Sequence, residues 1–375
     1  MHLSQGEKTA IFALAFLVNL HQGNLKEVYM YKWFATKRIL KGLFMYALLI
    51  LIMSALFNSV VETTMRSQIE EQVRLESMRL KNTSTTALQK FQNERREKLI
   101  KNYKLDRPIW ERIIYRAIDT ITFTFGKSTS IKSSRGEREV LTIIAEAIPR
   151  SLILFTAAAV FEILIGIFLG LKKAQKPGGS LDKSTSLITM IVYGMPTWWL
   201  AMILIMFFVY TVKIFPSSGV HSVPAPEGFM YILDMLWHTA LPMLTLVLIG
   251  FWGLSFVIRN IVLGILQEDY IMAARARGIP ENSVLFGHTL RTAAPPLITM
   301  SLLSLLGSIS GSIIFEGIFS WPGLGNLYWI AIQQNDIPVL MGDLAITIGL
   351  YQAGLIILDL TYGFLDPRIK VGGKA

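Results

Sequence analysis

Six apolar runs, each long enough to cross a bilayer, constrain this chain more than any other feature. They lie at Leu40–Val61, Ile148–Leu171, Leu187–Val212, Thr239–Ile258, Leu297–Phe319 and Val339–Phe364. A helix needs about 20 mostly apolar residues to span the hydrocarbon core. The reading that follows is an all-α polytopic membrane protein with six transmembrane helices. Charged residues make up 17% of the chain, against about 25% in a soluble domain, so the soluble portion is modest.

Basic residues beside the runs orient them, because Lys and Arg flanking a span stay in the cytoplasm. Lys37, Arg38 and Lys41 precede the first run, and Lys172, Lys173, Lys176 and Lys183 separate the second from the third. Arg259, Arg275, Arg277 and Arg291 separate the fourth from the fifth, and Arg368, Lys370 and Lys374 follow the sixth. The short alternate loops hold almost none. Both termini are therefore expected in the cytoplasm. The segments become a cytoplasmic stretch 1–38, a first helix 39–61, an extracytoplasmic loop domain 62–147, a core 148–366 with a cytoplasmic loop 259–296, and a tail 367–375. The net charge of +10 is explained by these membrane-flanking cations and one long loop, so no nucleic-acid partner is expected, and membrane lipid is. The apolar run Ala10–Leu20 is too short to span and reads as an interfacial helix. Met30 is an alternative start.

The enlarged loop contains Arg66–Leu105, polar and nearly free of Gly and Pro. Ile69, Val73 and Leu80, then Leu88, Phe91 and Leu99, recur at near-helical spacing. Two readings stand: one or two charged helices packed over the external mouth or a partner, or a solvated insertion. Thr120–Glu139 reads as a loop.

The longest polar interval between apolar runs in the second half is Gln267–Pro296, QEDYIMAARARGIPENSVLFGHTLRTAAPP. Gln267–Arg277 is rich in helix formers. Gly278 suits a helix C-terminus, and Pro280 the first turn of a second helix. Pro295 and Pro296 are expected to stop that helix where the fifth run begins.

Several chemistries are set aside. The segment GGSLDKST, Gly178–Thr185, lacks the Gly that a phosphate-binding loop needs directly before its Lys, since Asp182 stands there. None of the five His residues forms an HExxH pair, and no GxSxG occurs. The chain has no cysteine, which removes disulfides, thiolate metal sites and cysteine nucleophiles. No catalytic or metal site is expected, and no cofactor bound by this chain.

Ionisable groups within apolar runs usually face a bundle interior or a water-filled path. Glu162, Glu316 and Asp359 are such groups. A hydrogen-bonded carboxyl is the simpler reading of Glu162, and a place in the pore is the other. In GSISGS, Gly307 and Gly311 form a GxxxG suited to close helix packing, while Ser308, Gly311 and Ser312 are candidates for a pore lining.

At QEDYIMAARARG the chain resembles the membrane subunits of prokaryotic ABC importers, specifically the B-type permeases of the dipeptide/oligopeptide group. The general motif, Ala-Ala, three residues, then Gly, is met by Ala273, Ala274 and Gly278. Met272 stands where that motif often opens with Glu, so no salt bridge from that position follows. The peptide-type form is met by Glu268, Asp269, Tyr270, Ala274, Arg275, Ala276 and Gly278, and its continuation by His288, Leu290, Arg291, Ala293 and Pro296. FSWPGLG, with Pro322, Gly323 and Gly325, is similar to the family's external turn. DLTYGFLDPRI, Asp359–Ile369, is similar to its closing segment, and LDRPIWERIIY and FGKS to its external segment. The resemblance covers Ile143–Lys370 strongly and Lys37–Phe57 weakly. It leaves out Met1–Tyr29, and Arg66–Lys101 is longer than usual.

The resemblance implies the type I ABC importer permease fold in the cytoplasmic membrane of a prokaryote. It implies that the hairpin couples to ATPases, with Ala273 and Ala274 allowing close approach. The partners implied are a second homologous permease, two ATPase subunits carrying ATP and Mg, and an extracytoplasmic binding protein. Peptide is the implied cargo, with oligosaccharide or nickel the alternative within the class. A standalone secondary transporter or channel is the alternative outside it.

Overall fold

The computed structural model describes residues 25–78 and 84–365. The expected interfacial helix Ala10–Leu20, Leu80, and the closing Asp366–Arg368 with the tail lie outside the described residues. Among those described there is no strand, only an isolated bridge between Lys127 and Glu139.

The helices in order are α1 (Leu25–Leu56), α2 (Asn58–Met78), α3 (Thr85–Asn102), α4 (Ile109–Ile121), α5 (Val140–Gln175), α6 (Ser180–Tyr193) and α7 (Thr197–Ile205, continued by a π-helical Met206–Thr211). Then come α8 (Phe229–Leu266), α9 (Asp269–Ala276), α10 (Glu281–Gly307), α11 (Ile313–Ile318), α12 (Leu324–Gln333) and α13 (Ile337–Leu365). Among the described residues five helices suffice to cross a membrane: α1, α5, α8, α10 and α13. The third expected span is not one helix but a pair, α6 and α7, bent by 98°, which makes a sixth span only if the pair is counted as one. Pro196 caps α7 and disfavours a continuous helix through Gly194 and Met195.

The chain divides into two compact units. One contains residues 1–45 and 355–375. Within it Arg38 pairs with Asp359 at 3.2 Å and the Tyr31 hydroxyl donates to the Leu360 carbonyl. Asp359 is thus a partnered carboxylate, as an ionisable group in a span should be. The other unit, Tyr46–Gly354, holds the candidate sites.

Its centre is the packing of α5 on α8. Glu162, Gly166 and Gly170 share one face of α5 at four-residue spacing and meet Gly250, Leu254 and Ile258 at the same spacing on α8. A Cβ on Gly166 would lie 2.9 Å from Leu254, and one on Gly170 would lie 2.8 Å from Ile258. Small residues let helices approach where lipid offers no hydrophobic drive for association. This GxxxG, in the second span, is the one used for packing.

The GxxxG expected in the fifth span is not helical throughout. The span ends at Gly307, Ser308–Ser310 is a 3₁₀ turn, and Gly311 is left-handed at φ 66°. Gly307 and Gly311 therefore do not share a face, and the fifth span is Glu281–Gly307 rather than Leu297–Phe319. At its other end Pro295 and Pro296 lie inside α10 rather than stopping the helix. Apolar residues on both sides favour a continuous span, in which proline is tolerated once local adjustments and side chains absorb the lost amides. A π-helical stretch, Val284–Thr289, stands just before them.

Within Arg66–Leu105 the described residues form two charged helices, most of α2 and α3, and α4 follows in the same loop. Helices α2 and α3 pair antiparallel across Ile69, Val73 and Leu99. Arg95 reaches Glu76 at 2.6 Å, and Arg96 reaches Glu70 at 2.7 Å. Helix α2 begins at Asn58, so it crosses the expected boundary at residue 62. Thr120–Glu139 is irregular apart from α4's last turn and the bridge. It is tied down by Asp336, whose carboxylate accepts from Ser128 Oγ (2.5 Å), Ser130 N (3.0 Å) and Ile131 N (3.2 Å). Burial pushes the Asp336 carboxyl up, but these donors together hold it below its ordinary value.

Candidate functional site

Helix α9 projects from the junction of α5, α8 and α10. Two of its side chains point inward: Ile271 is fully buried and Ala274 is 6% exposed. They join Leu171 and Ala174 of α5, Val262 and Leu266 of α8, and Val284, Leu285 and Ala293 of α10 in one cluster. Spacing of three places both on one helical face. The remaining residues, Glu268, Asp269, Tyr270, Met272, Ala273, Arg275, Ala276 and Arg277, are exposed. Of the alanine pair, then, only Ala273 is presented outward. Ala274 is small because it packs within its own chain.

The reversal after α9 depends on Gly278, left-handed at φ 77°. Its amide donates to the Arg275 carbonyl (2.9 Å), and that of Ile279 donates to Ala274 (3.3 Å). Only glycine takes this conformation without steric cost. Polar pairs fix the two arms. Arg275 grips Glu281 through two hydrogen bonds, the shorter 2.6 Å. The Tyr270 hydroxyl donates to Thr292 Oγ1 at 2.8 Å. Gln175, at the end of α5, donates to Asn282 at 3.2 Å. His288 and Arg291 extend the exposed face. The two helical arms are thus tied to each other and seated on three spanning helices.

A further anchor lies beside the hairpin. Asp182 is 3% exposed. It accepts from Arg259 Nε (2.9 Å) and Nη2 (2.6 Å) and from the Gly178 amide (2.9 Å). The residue that spoils the phosphate-loop pattern thus ties the 176–183 turn to the helix that feeds the hairpin.

At the opposite end, the turn Ser308–Gly325 surrounds Glu316, which is fully buried. Its carboxylate accepts from Ser151 Oγ (2.8 Å) and the Asn326 amide (2.9 Å), and so sits at the N-terminus of α12, where a negative charge is favoured. Trp321 donates to the Arg150 carbonyl at 3.1 Å. A Cβ on Gly323 would meet Ser151 and Glu316, and one on Gly325 would lie 2.5 Å from the Ser312 backbone. Gly323 is therefore required by the buried Ser151 and Glu316 side chains and Gly325 by close backbone approach, and Pro322 precedes them where α12 begins. Ser308 pairs with Thr156 (3.1 Å). Gly311 lies against Glu316, and Ser312 caps α11. These three belong to a hydrogen-bonded turn, not to one helical face. Glu162 lies over Gly250, so its carboxyl fills the gap left by a missing side chain.

The described residues thus combine helices long and apolar enough to cross a membrane with an exposed polar hairpin and a hydrogen-bonded turn around a buried carboxylate. Residues 162–371 match the family model "Binding-protein-dependent transport system inner membrane component". The chain belongs to this family and is a permease subunit of an ABC importer. It is 33% identical over 275 residues to the oligopeptide transport system permease protein AppB of Bacillus subtilis, covering 73% of this chain and 85% of that protein. It is 30% identical over 298 residues to the dipeptide transport system permease protein DppB of Escherichia coli K12, covering 74% and 86% respectively. Among solved structures, an inward-facing form of the MetNI methionine ABC transporter aligns at 20% identity and TM-score 0.46 over 58% of this chain and 95% of that one. Membership places the chain in the inner membrane as a multi-pass protein and implies ATPase and substrate-binding partners. Permease subunits of this family are in general non-catalytic.

Proposed function

We propose that this chain forms half of the translocation path of an ATP-driven peptide importer. The second half is a homologous permease. Two ATPase subunits, which carry the ATP and Mg, grip the two hairpins, and an extracytoplasmic binding protein delivers the peptide. The observation that carries this reading is the exposed face of α9: Ala273 and Ala276 outward, flanked by Met272, Arg275 and Arg277, on a body held by Ile271 and Ala274. A short helix with small outward residues fits a groove. The lock between Arg275 and Glu281 and the seat on α5, α8 and α10 would pass a push at the hairpin to the spans. Closure of the ATPases would then re-aim the bundle as a rigid body. In this arrangement the hairpin and both termini face the cytoplasm.

Peptide is favoured because the relatives named above are oligopeptide and dipeptide permeases. Oligosaccharide or nickel cargo uses the same machine. A standalone secondary transporter or channel leaves the hairpin without a task. The test is to purify the assembled complex, identify co-purifying chains and measure peptide-stimulated ATP hydrolysis and uptake in proteoliposomes. Uptake by this chain without ATPases would overturn the proposal, and stimulation by sugars alone would overturn the cargo.

A further inference from the structure

Helix α4 is inverted for a helix meant to face water. Trp110, Ile114 and Ile118 repeat every four residues along its outward face and are 62%, 44% and 49% exposed. Inward stand Arg112, 8% exposed, Ala117 and Thr120. A helix with this apolar outward face has low energy against an apolar surface.

Its contacts fix its height. Arg112 Nη1 lies 2.9 Å from Glu62 Oε2, and Arg116 donates to Asn58 Oδ1 at 3.2 Å. The first span ends at Leu56. At 1.5 Å per residue, Asn58 and Glu62 stand about 3 and 9 Å beyond it. The interfacial layer is roughly 5–7 Å deep on each side. Asn58, which Arg116 meets, therefore falls within that layer, and Glu62, which Arg112 meets, stands just beyond it. Ala117 packs with Ile50, Met53, Val61 and Met341 at the outer ends of the first and sixth spans.

Behind α4 is a cavity of about 230 Å³, lined among others by Lys104, Arg112, Arg116 and Asp119. Glu62 is already shared between Arg112 and Arg66. Four cations thus face two carboxylates. Among the described residues Arg112 Nε is buried without a hydrogen-bond partner, which costs free energy unless an acceptor arrives. Burial first, and the like charge of Arg112 second, push the Arg116 guanidinium down, and an anion would relieve both.

We propose that α4 lies in the plane of the membrane interface with Trp110, Ile114 and Ile118 among the lipids, and that the Lys104–Arg112–Arg116 cavity takes the phosphate of an anionic phospholipid from that leaflet. The lipid source follows from the apolar face at the same level. Trp at the headgroup layer is favoured, and cations beside an anionic surface add affinity.

The test uses the assembled transporter in nanodiscs of phosphatidylcholine mixed with phosphatidylglycerol, with lipids retained after extraction counted by native mass spectrometry. The wild type should retain phosphatidylglycerol preferentially, and Lys104→Gln and Arg116→Gln should each lower that preference about fivefold. Equal retention of the two lipids, or no change in either variant, would overturn the site. Loss of the preference in millimolar inorganic phosphate would overturn the lipid source in favour of a free anion. A readout that leaves the cations intact is Trp110→Cys in this cysteine-free chain. An impermeant maleimide should label it slowly in nanodiscs without any other protein present. Fast labelling that only the binding protein suppresses would show a protein-docking face and overturn the membrane assignment.

Discussion

Replacing Gly278 tests whether the hairpin's shape, rather than its polarity, matters. Its φ is 77°, and a Cβ built there meets nothing within 4 Å. Any penalty is therefore conformational and not a clash. A left-handed L-residue costs roughly 1–2 kcal/mol, Asn tolerates the region better, and a β-branched residue is a true outlier there. Since 1.4 kcal/mol is tenfold in an equilibrium constant, Gly278→Val should reduce the population of correctly turned hairpin by about ten- to thirtyfold, Gly278→Ala by up to tenfold, and Gly278→Asn least. The assay measures peptide-stimulated ATP hydrolysis in the reconstituted complex, with membrane insertion followed separately. The expected order of activity is Gly, Asn, Ala, Val at constant insertion. Equal activity of the Asn and Val variants would refute the conformational argument.

Three further outcomes follow from the same geometry. Arg259→Gln leaves Asp182 buried without its partner and should destabilise the complex by about 3 kcal/mol, while a double variant with Asp182→Asn should recover part of the loss, read by thermal unfolding in detergent. Gly325→Ala drives a Cβ into the Ser312 backbone and should cost roughly 1–3 kcal/mol, whereas Gly317→Ala, with nothing within 4 Å, should cost little in the same measurement. Glu162→Gln keeps the shape that fills the space over Gly250 and should leave uptake and its pH profile unchanged; a loss of uptake with insertion intact would return Glu162 to the transport path.

The spans were legible because about 20 apolar residues in a row have few other uses. What escaped notice depended on neighbours distant in sequence. Gly166 and Gly170 form one GxxxG and Gly307 and Gly311 another, and nothing in either motif says which glycine is helical. Glu316 gave the better hint, since a carboxylate in an apolar run marks a turn or an interior, and here it marks both. The hairpin's turn was readable from Gly278 and Pro280, but its end was not, because Pro295 and Pro296 lie inside α10. The division of labour between Ala273 and Ala274 was not, because it depends on which face of α9 meets α5 and α8. In sequence Asp182 only breaks a phosphate-loop pattern, because its partner Arg259 lies 77 residues away. The inversion of α4 was open to reading, since Trp110, Ile114 and Ile118 alternate with Arg112 and Arg116, but its height at the membrane required the contacts to Asn58 and Glu62.

The central claim is that the outward face of α9 is held by ATPase subunits. A chain without cysteine allows single cysteines to be placed at Ala273, Ala276 and, as the inward control, Ala274. In the assembled complex, a short bifunctional cross-linker should join positions 273 and 276 to an ATPase chain and leave position 274 unmodified. Free labelling of 273 and 276 by a small maleimide, with no cross-link to any ATPase, would contradict the account.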